Sequence, residues 1–105
     1  MLKRWKAIAE DVAEAARRIL GEAEVIVFGS IVEGEYTASS DIDILIVLED
    51  MPMGRIKRAE LKRAIEEEAA FPPFHPVEIH LVTRKEAQAN PIYAEALRQG
   101  VTINP

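Results

Sequence analysis

The segment Ile42–Leu48 constrains the fold of this chain more than any other. Its residues are all apolar except Asp43. A nearly continuous run of branched aliphatic residues is typical of a central strand that is covered on both faces. The segment therefore predicts an α/β domain built on a sheet, and its single acid needs a functional explanation.

The segments on either side of this run complete the prediction. The spacing of apolar residues from Trp5 to Leu20 predicts a helix that ends at Gly21, and Glu24–Phe28 predicts a short buried strand. Alternation over Val77–Val82 predicts a strand with one buried face. The other predicted elements are a helical turn and loop over Ser30–Ser40, a helix over Arg55–Ala70, a proline-rich connection over Phe71–Pro76, a short helix opened by a capping box of Thr83 and Glu86, a helix over Pro91–Gln99, and an edge strand or tail over Val101–Ile103. This order of helices and strands predicts one α/β layer.

Composition excludes several classes of protein. The 105 residues suffice for one domain, and the net charge of -5 disfavours nucleic acid as the main ligand. The absence of cysteine removes disulfides, thiolate zinc sites and thiol nucleophiles. No apolar segment is long enough for a signal peptide or a membrane span, so we expect a cytoplasmic protein.

Two groups of polar residues lie near the ends of the first two predicted strands, one where the first strand ends and one where the second begins. Gly29 and Ser30 form a turn in which backbone amides and a hydroxyl can approach a phosphate. Asp41 and Asp43 flank Ile42, and side chains two positions apart in a strand point to the same side. Two carboxylates held this close favour a bound cation, and their hard oxygen atoms suit magnesium or manganese.

Glu78 is the third candidate acid, on the polar side of the strand Val77–Val82. A neighbouring strand could bring it to the same ions. Three carboxylates, a phosphate-binding turn and divalent metal predict phosphoryl or nucleotidyl transfer by a two-metal mechanism, with Glu78 as general base or as a ligand that orients the attacking group.

The pattern Gly29-Ser30 followed by Asp41-Ile42-Asp43 resembles the signature of the DNA polymerase β-like nucleotidyltransferase superfamily, and in particular its minimal nucleotidyltransferases. The resemblance implies one domain over residues 1–105, a small mixed sheet with helices packed on one side, and ATP as substrate. It places Ser30 on the triphosphate, Asp41 and Asp43 on two magnesium ions, and Glu78 at the third acidic position. It also implies a helical HEPN-type partner, in which a tyrosine accepts AMP, and an antitoxin role.

Some features leave alternatives open. Ile31 and Glu33 stand where many members of this superfamily carry arginines, so a non-catalytic subunit that neutralises its partner by covering it is the competing hypothesis. A nucleotide or metal sensor without turnover and a homo-oligomer also remain open.

We interpret His75 as a loop residue and leave it outside the site. His80 points to the same side as Glu78 and could orient it or a water, but we interpret it as a solvated or locally paired residue and leave it outside the site as well. Tyr93 is interpreted as a core or interface aromatic, with stacking on a nucleotide base as the alternative.

Overall fold

The computed structural model describes residues 5–29, 42–49, 54–69 and 77–103. Its helices are α1 (Trp5–Leu20), α2 (Arg55–Glu68), α3 (Arg84–Ala89) and α4 (Pro91–Gln99). Its strands are β1 (Glu24–Phe28), β2 (Ile42–Leu48), β3 (Val77–Thr83) and β4 (Val101–Thr102). The predictions for Ser30–Ser40 and Phe71–Pro76 fall outside the described residues.

The strands form one mixed sheet in the order β3-β2-β1-β4. β1 pairs antiparallel with β2 and with β4, whereas β2 and β3 are parallel and are separated in the chain by α2. The predicted α/β class with a mixed sheet and helices is therefore confirmed. β2 is a central strand, and its apolar side chains are buried on both faces of the sheet.

Helices cover both faces of the sheet, so the expectation of helices on one side is wrong. On one face, alternate residues of the strands pack against α1 and α2 in the larger cluster of buried side chains. On the other face, Ile26, Leu45 and Val82 pack against Ala87 of α3 and Ala96 of α4. Because strand side chains alternate between the two faces, the apolar residues that point to the second face require a second layer of helices to bury them.

Local capping sets the bounds of the C-terminal helices. The Thr83 hydroxyl accepts a hydrogen bond from the Glu86 backbone, and the Glu86 carboxylate accepts one from the Thr83 backbone, which confirms the predicted capping box of α3. Asn90 caps α4 and Pro91 occupies its first turn. These caps turn the chain back across the sheet directly after β3. Among the described residues, no helix combines the length and apolar character that a membrane span requires.

Candidate active site

One row of paired residues crosses the end of the sheet where β1 finishes and β2 and β3 begin. Phe28 of β1 pairs with Asp43 of β2, and Asp43 pairs with Glu78 of β3. Residues that pair directly across neighbouring strands point to the same face. This face is the one that α3 and α4 cover, so Asp43 and Glu78 lie together at the edge of the smaller apolar cluster.

The side chains in this row form a compact group of possible metal ligands. One oxygen atom of Asp43, one of Glu78 and one ring nitrogen of His80 all lie within 4.8 Å of one another. His80 Nε2 is 3.4 Å from Asp43 Oδ1 and 3.9 Å from Glu78 Oε2. The Glu78 side chain is 61% exposed, against 26% for Asp43 and 21% for His80, so the group opens to solvent on the Glu78 side.

The predicted site residues are therefore brought together in part. Asp43 and Glu78 converge as the sequence predicts, whereas Asp41 and Ser30 lie outside the described residues. The roles of all four in catalysis and metal binding stay predictions. The two carboxylates and the imidazole are chemically suited to a divalent cation, since Mg²⁺ and Mn²⁺ prefer oxygen and the imidazole adds a nitrogen donor.

Gly29 fits closely against Asp43. Its φ is +89°, in the left-handed region that favours glycine, and a Cβ at this position would lie 2.7 Å from Asp43 Oδ2. The missing side chain therefore leaves the space that the Asp43 carboxylate occupies. In addition to the predicted approach of a phosphate, this contact gives the glycine a role in seating the acid.

His80 and Tyr93 belong to the site, although sequence reasoning left both outside it. His80 Nδ1 is 3.0 Å from the Tyr93 hydroxyl oxygen, while His80 Nε2 faces the two carboxylates. The Phe28 ring lies 5.4 Å from the imidazole, centroid to centroid, and the Tyr93 ring lies 5.5 Å from it. Period-two alternation does place residues 78 and 80 on one face, as predicted from the sequence, but nothing local indicates the contact with Tyr93.

Burial raises the pKa of the Tyr93 hydroxyl above its ordinary value, and the negative charges of Glu78 and Asp43 raise it further. The hydroxyl therefore keeps its proton at neutral pH. A protonated hydroxyl can either donate to or accept from an imidazole nitrogen. Tyr93 can accordingly hold His80 in either neutral tautomer.

A cleft of about 620 Å³ adjoins this group of side chains. Phe28, Gly29 and Asp43 form one wall, and Ile92, Glu95 and Gln99 of α4 contribute to the other. Ile92 is 66% exposed beside it. A second cleft, at the opposite end of the sheet, contains Arg84, whose guanidinium already pairs with Glu24 and Glu49. The cleft beside Asp43 is therefore the better candidate for a substrate.

Arg58 of α2 is paired with an acidic residue of α3. Arg58 makes two hydrogen bonds with Glu86 of α3, of 2.8 and 2.9 Å, and Arg55 and Lys57 are exposed. Arg58 therefore links α2 to α3, and its charge is already paired with that of Glu86.

Comparison with known proteins gives a match to one family model and matches to solved structures. The family model described as "nucleotidyltransferase domain" matches residues 9–101. A solved structure from Sulfolobus solfataricus, described as a "putative nucleotidyltransferase", superposes with a TM-score of 0.71 at 21% identity, covering 96% of this chain and 80% of that one. A second structure with the same description has a TM-score of 0.67 at 28% identity, covering 90% of this chain and 96% of that one. No curated protein matches the sequence.

Proposed function

Because this chain belongs to the nucleotidyltransferase domain family, we propose that it transfers AMP from ATP to a hydroxyl of a separate acceptor and releases pyrophosphate. The observation that carries this proposal is the convergence of Asp43 and Glu78 on one face of the sheet, beside Gly29. The finer proposal of a minimal nucleotidyltransferase rests on the resemblance of Gly29-Ser30 and Asp41-Ile42-Asp43 to the signature of that group.

The residues of the chain divide the work as follows. Gly29 and Ser30 bind the triphosphate. Asp41, Asp43 and Glu78 hold two Mg²⁺ ions, for which Mn²⁺ can substitute. Bound cations supply charge neutralisation on the triphosphate and lower the pKa of the attacking hydroxyl. Glu78, the most exposed of the donors, accepts the proton of the acceptor hydroxyl. The oxygen of that hydroxyl forms a bond to the α-phosphorus while the bond between the α-phosphorus and pyrophosphate breaks.

The acceptor in this proposal is a tyrosine of a helical HEPN-type partner, and the transfer gives the chain an antitoxin role. The support for this partner is the resemblance to the minimal nucleotidyltransferases. The cleft between Asp43 and α4 is open at the surface, as an acceptor side chain carried by another protein requires. The net charge of -5 further favours a partner with a basic surface.

Transfer of label from ATP tests the proposal. The protein is incubated with α-labelled ATP, Mg²⁺ and a candidate HEPN-type acceptor, with Asp41→Asn, Asp43→Asn and Glu78→Gln variants in parallel. We expect both Asp variants to fall to background, because each loses a charged ligand, and Glu78→Gln to fall by about 10²–10⁴-fold, because it loses a general base.

Asp11→Asn is the matched control, since Asp11 is an exposed residue of α1 and the change removes the same charge. It should label the acceptor as well as the wild type does. Equal incorporation by the wild type and by all three site variants would contradict the proposed function.

A second candidate is a binding subunit that neutralises its partner by covering it. The engagement of Arg58 by Glu86 favours this candidate, together with Ile31 and Glu33 at positions where related proteins carry arginines, because charge that would hold the triphosphate is missing. Co-expression of the Asp41→Asn/Asp43→Asn double variant with the partner separates the two functions. Full neutralisation by the double variant supports occlusion, and loss of neutralisation with retained co-purification supports catalysis.

A further inference from the structure

His80 is oriented from both of its ring nitrogens. Nδ1 is 3.0 Å from the Tyr93 hydroxyl oxygen, and Nε2 lies between an oxygen of Asp43 and an oxygen of Glu78. The Phe28 ring contacts the imidazole at a tilt of 57°. Packing and hydrogen bonding therefore hold the ring with one nitrogen aimed at the two carboxylates.

The three donor atoms lie within 4.8 Å of one another, which is close to the spacing of ligands on a single divalent cation but wider than it. Ligand atoms about 2.1 Å from an ion, at angles between octahedral and tetrahedral, are about 3.0–3.5 Å apart. His80 Nε2 and Asp43 Oδ1 are already 3.4 Å apart. Binding of one cation by all three donors therefore requires a rotation of the Glu78 side chain, which is 61% exposed, to shorten its distance of 3.9 Å from His80 Nε2.

Tyr93 lies where a metal-binding histidine usually has a hydrogen-bond partner, next to the ring nitrogen that faces away from the metal ligands. A histidine that binds a metal through one ring nitrogen almost always donates the other N–H to an oxygen atom. When the His80 proton is on Nδ1, that N–H can donate to the Tyr93 hydroxyl and the lone pair of Nε2 points at the carboxylates. The hydroxyl can also donate to Nδ1 in the other tautomer, so Tyr93 supports the ring with and without a cation.

We propose that His80 is a nitrogen ligand of the cation that Asp43 and Glu78 hold, positioned by Tyr93, and that it raises the affinity of this site for Mn²⁺ relative to its affinity for Mg²⁺. The inference rests on the acidic site of the proposed function but requires no turnover. Mg²⁺ takes oxygen ligands almost exclusively, whereas Zn²⁺ binds imidazole readily and Mn²⁺, although it prefers oxygen, accepts imidazole more easily than Mg²⁺ does. One imidazole in place of a water therefore favours the transition metal.

Calorimetric titration of the metal-free full-length protein with Mn²⁺ and with Mg²⁺ tests the preference. We expect His80→Asn to weaken Mn²⁺ binding by about 10- to 100-fold, and Tyr93→Phe to weaken it by about tenfold, since the ligand loses the group that orients it. Mg²⁺ binding should change by less than about threefold in both variants, because the carboxylates remain. His75→Asn removes the other histidine of the chain and should bind both ions as the wild type does.

A measurement on the wild type keeps the test independent of whether the variants fold. Nitrogen-15 spectra of the imidazoles, recorded with and without Zn²⁺ as a diamagnetic probe, should show Nε2 of His80 bound to the metal and its Nδ1 protonated. Spectra of His80 that Zn²⁺ leaves unchanged, or equal Mn²⁺ affinity of the wild type and a folded His80→Asn variant, would overturn the inference and leave His80 as a hydrogen-bond partner of Asp43. Metal binding through His80 without transfer of AMP would instead contradict the proposed function alone.

Discussion

At the scale of single residues, the contact between Gly29 and Asp43 links the conformation of a turn to the position of an acid. Gly29 has a φ of +89° and its missing Cβ would lie 2.7 Å from Asp43 Oδ2. Gly21 has a similar φ of +81° but has no atom within 4 Å of its missing Cβ. A substitution at Gly21 therefore introduces backbone strain alone, whereas the same substitution at Gly29 introduces backbone strain and displaces the Asp43 carboxylate.

We expect Gly29→Ala to cost about 1–2 kcal/mol of the free energy of unfolding, as the left-handed conformation does for other residues. It should also lower transfer activity by about a hundredfold, because displacement of a catalytic group such as the Asp43 carboxylate by about 1 Å has effects of that size. Gly21→Ala should show a similar loss of stability with full activity. Chemical denaturation and the labelled-ATP assay measure the two quantities, and equal activities of the two variants would refute the link.

At the scale of elements, the Glu86 carboxylate links α3 to α2 and also takes part in the capping box that begins α3. Glu86 accepts hydrogen bonds from Arg58 of α2 and from the backbone of Thr83. The hydrogen bonds from the Arg58 guanidinium lower the pKa of the Glu86 carboxyl below its ordinary value, and the Thr83 backbone N–H lowers it further. This linkage gives the junction of the two helices a dependence on pH.

The sign follows from the direction of the shift. A carboxyl whose pKa is lower in the folded protein stabilises the fold above its unfolded pKa of about 4.3, and this stabilisation is lost as pH falls through the folded value. We expect Glu86→Gln to be less stable than the wild type at pH 7 and to approach it in stability below about pH 4. The difference is small, since the pair is partly exposed to solvent.

Urea denaturation at pH 7 and at pH 3 measures this difference. Glu10→Gln, an exposed residue of α1, is the control for loss of one negative charge. A Glu86→Gln variant whose loss of stability is the same at both pH values would show that the capping geometry, and not the charge, is responsible.

At the scale of the whole molecule, one sheet supports two apolar clusters. Leu45 and Ile46 are adjacent in β2 and fully buried, yet they belong to opposite clusters. The face of Leu45 also carries the carboxylates of the candidate site. Because both clusters share the backbone of β2, disruption of either one weakens the support of Asp43.

We therefore expect Leu45→Ala and Ile46→Ala each to reduce the free energy of unfolding by about 2–5 kcal/mol. We also expect one cooperative transition, since neither cluster can keep its strands in place without the other. The single tryptophan, Trp5, packs against the larger cluster and reports on α1, while circular dichroism reports on the whole chain. Transitions that do not coincide in the two signals would show that the faces unfold separately.

Much of this fold could be predicted from local patterns. The apolar run of Ile42–Leu48, the spacing in α1 and the capping box at Thr83 each involve residues within a few positions of one another. Their physical causes, side-chain periodicity and hydrogen bonding of helix ends, act over the same short range. The sequence by itself therefore determined the elements, the apolar character of β2 on both faces, and the presence of an acid at its start.

Only the tertiary structure decided which residues meet. Asp43 and His80 are 37 positions apart, and their contact follows from the parallel register of β2 and β3. The contact of His80 with Tyr93 depends on the packing of α4 over the second face of the sheet, where no helix is expected from the sequence. Strand order, register and the side on which a helix packs are set by burial of the whole apolar surface, so no short-range pattern records them.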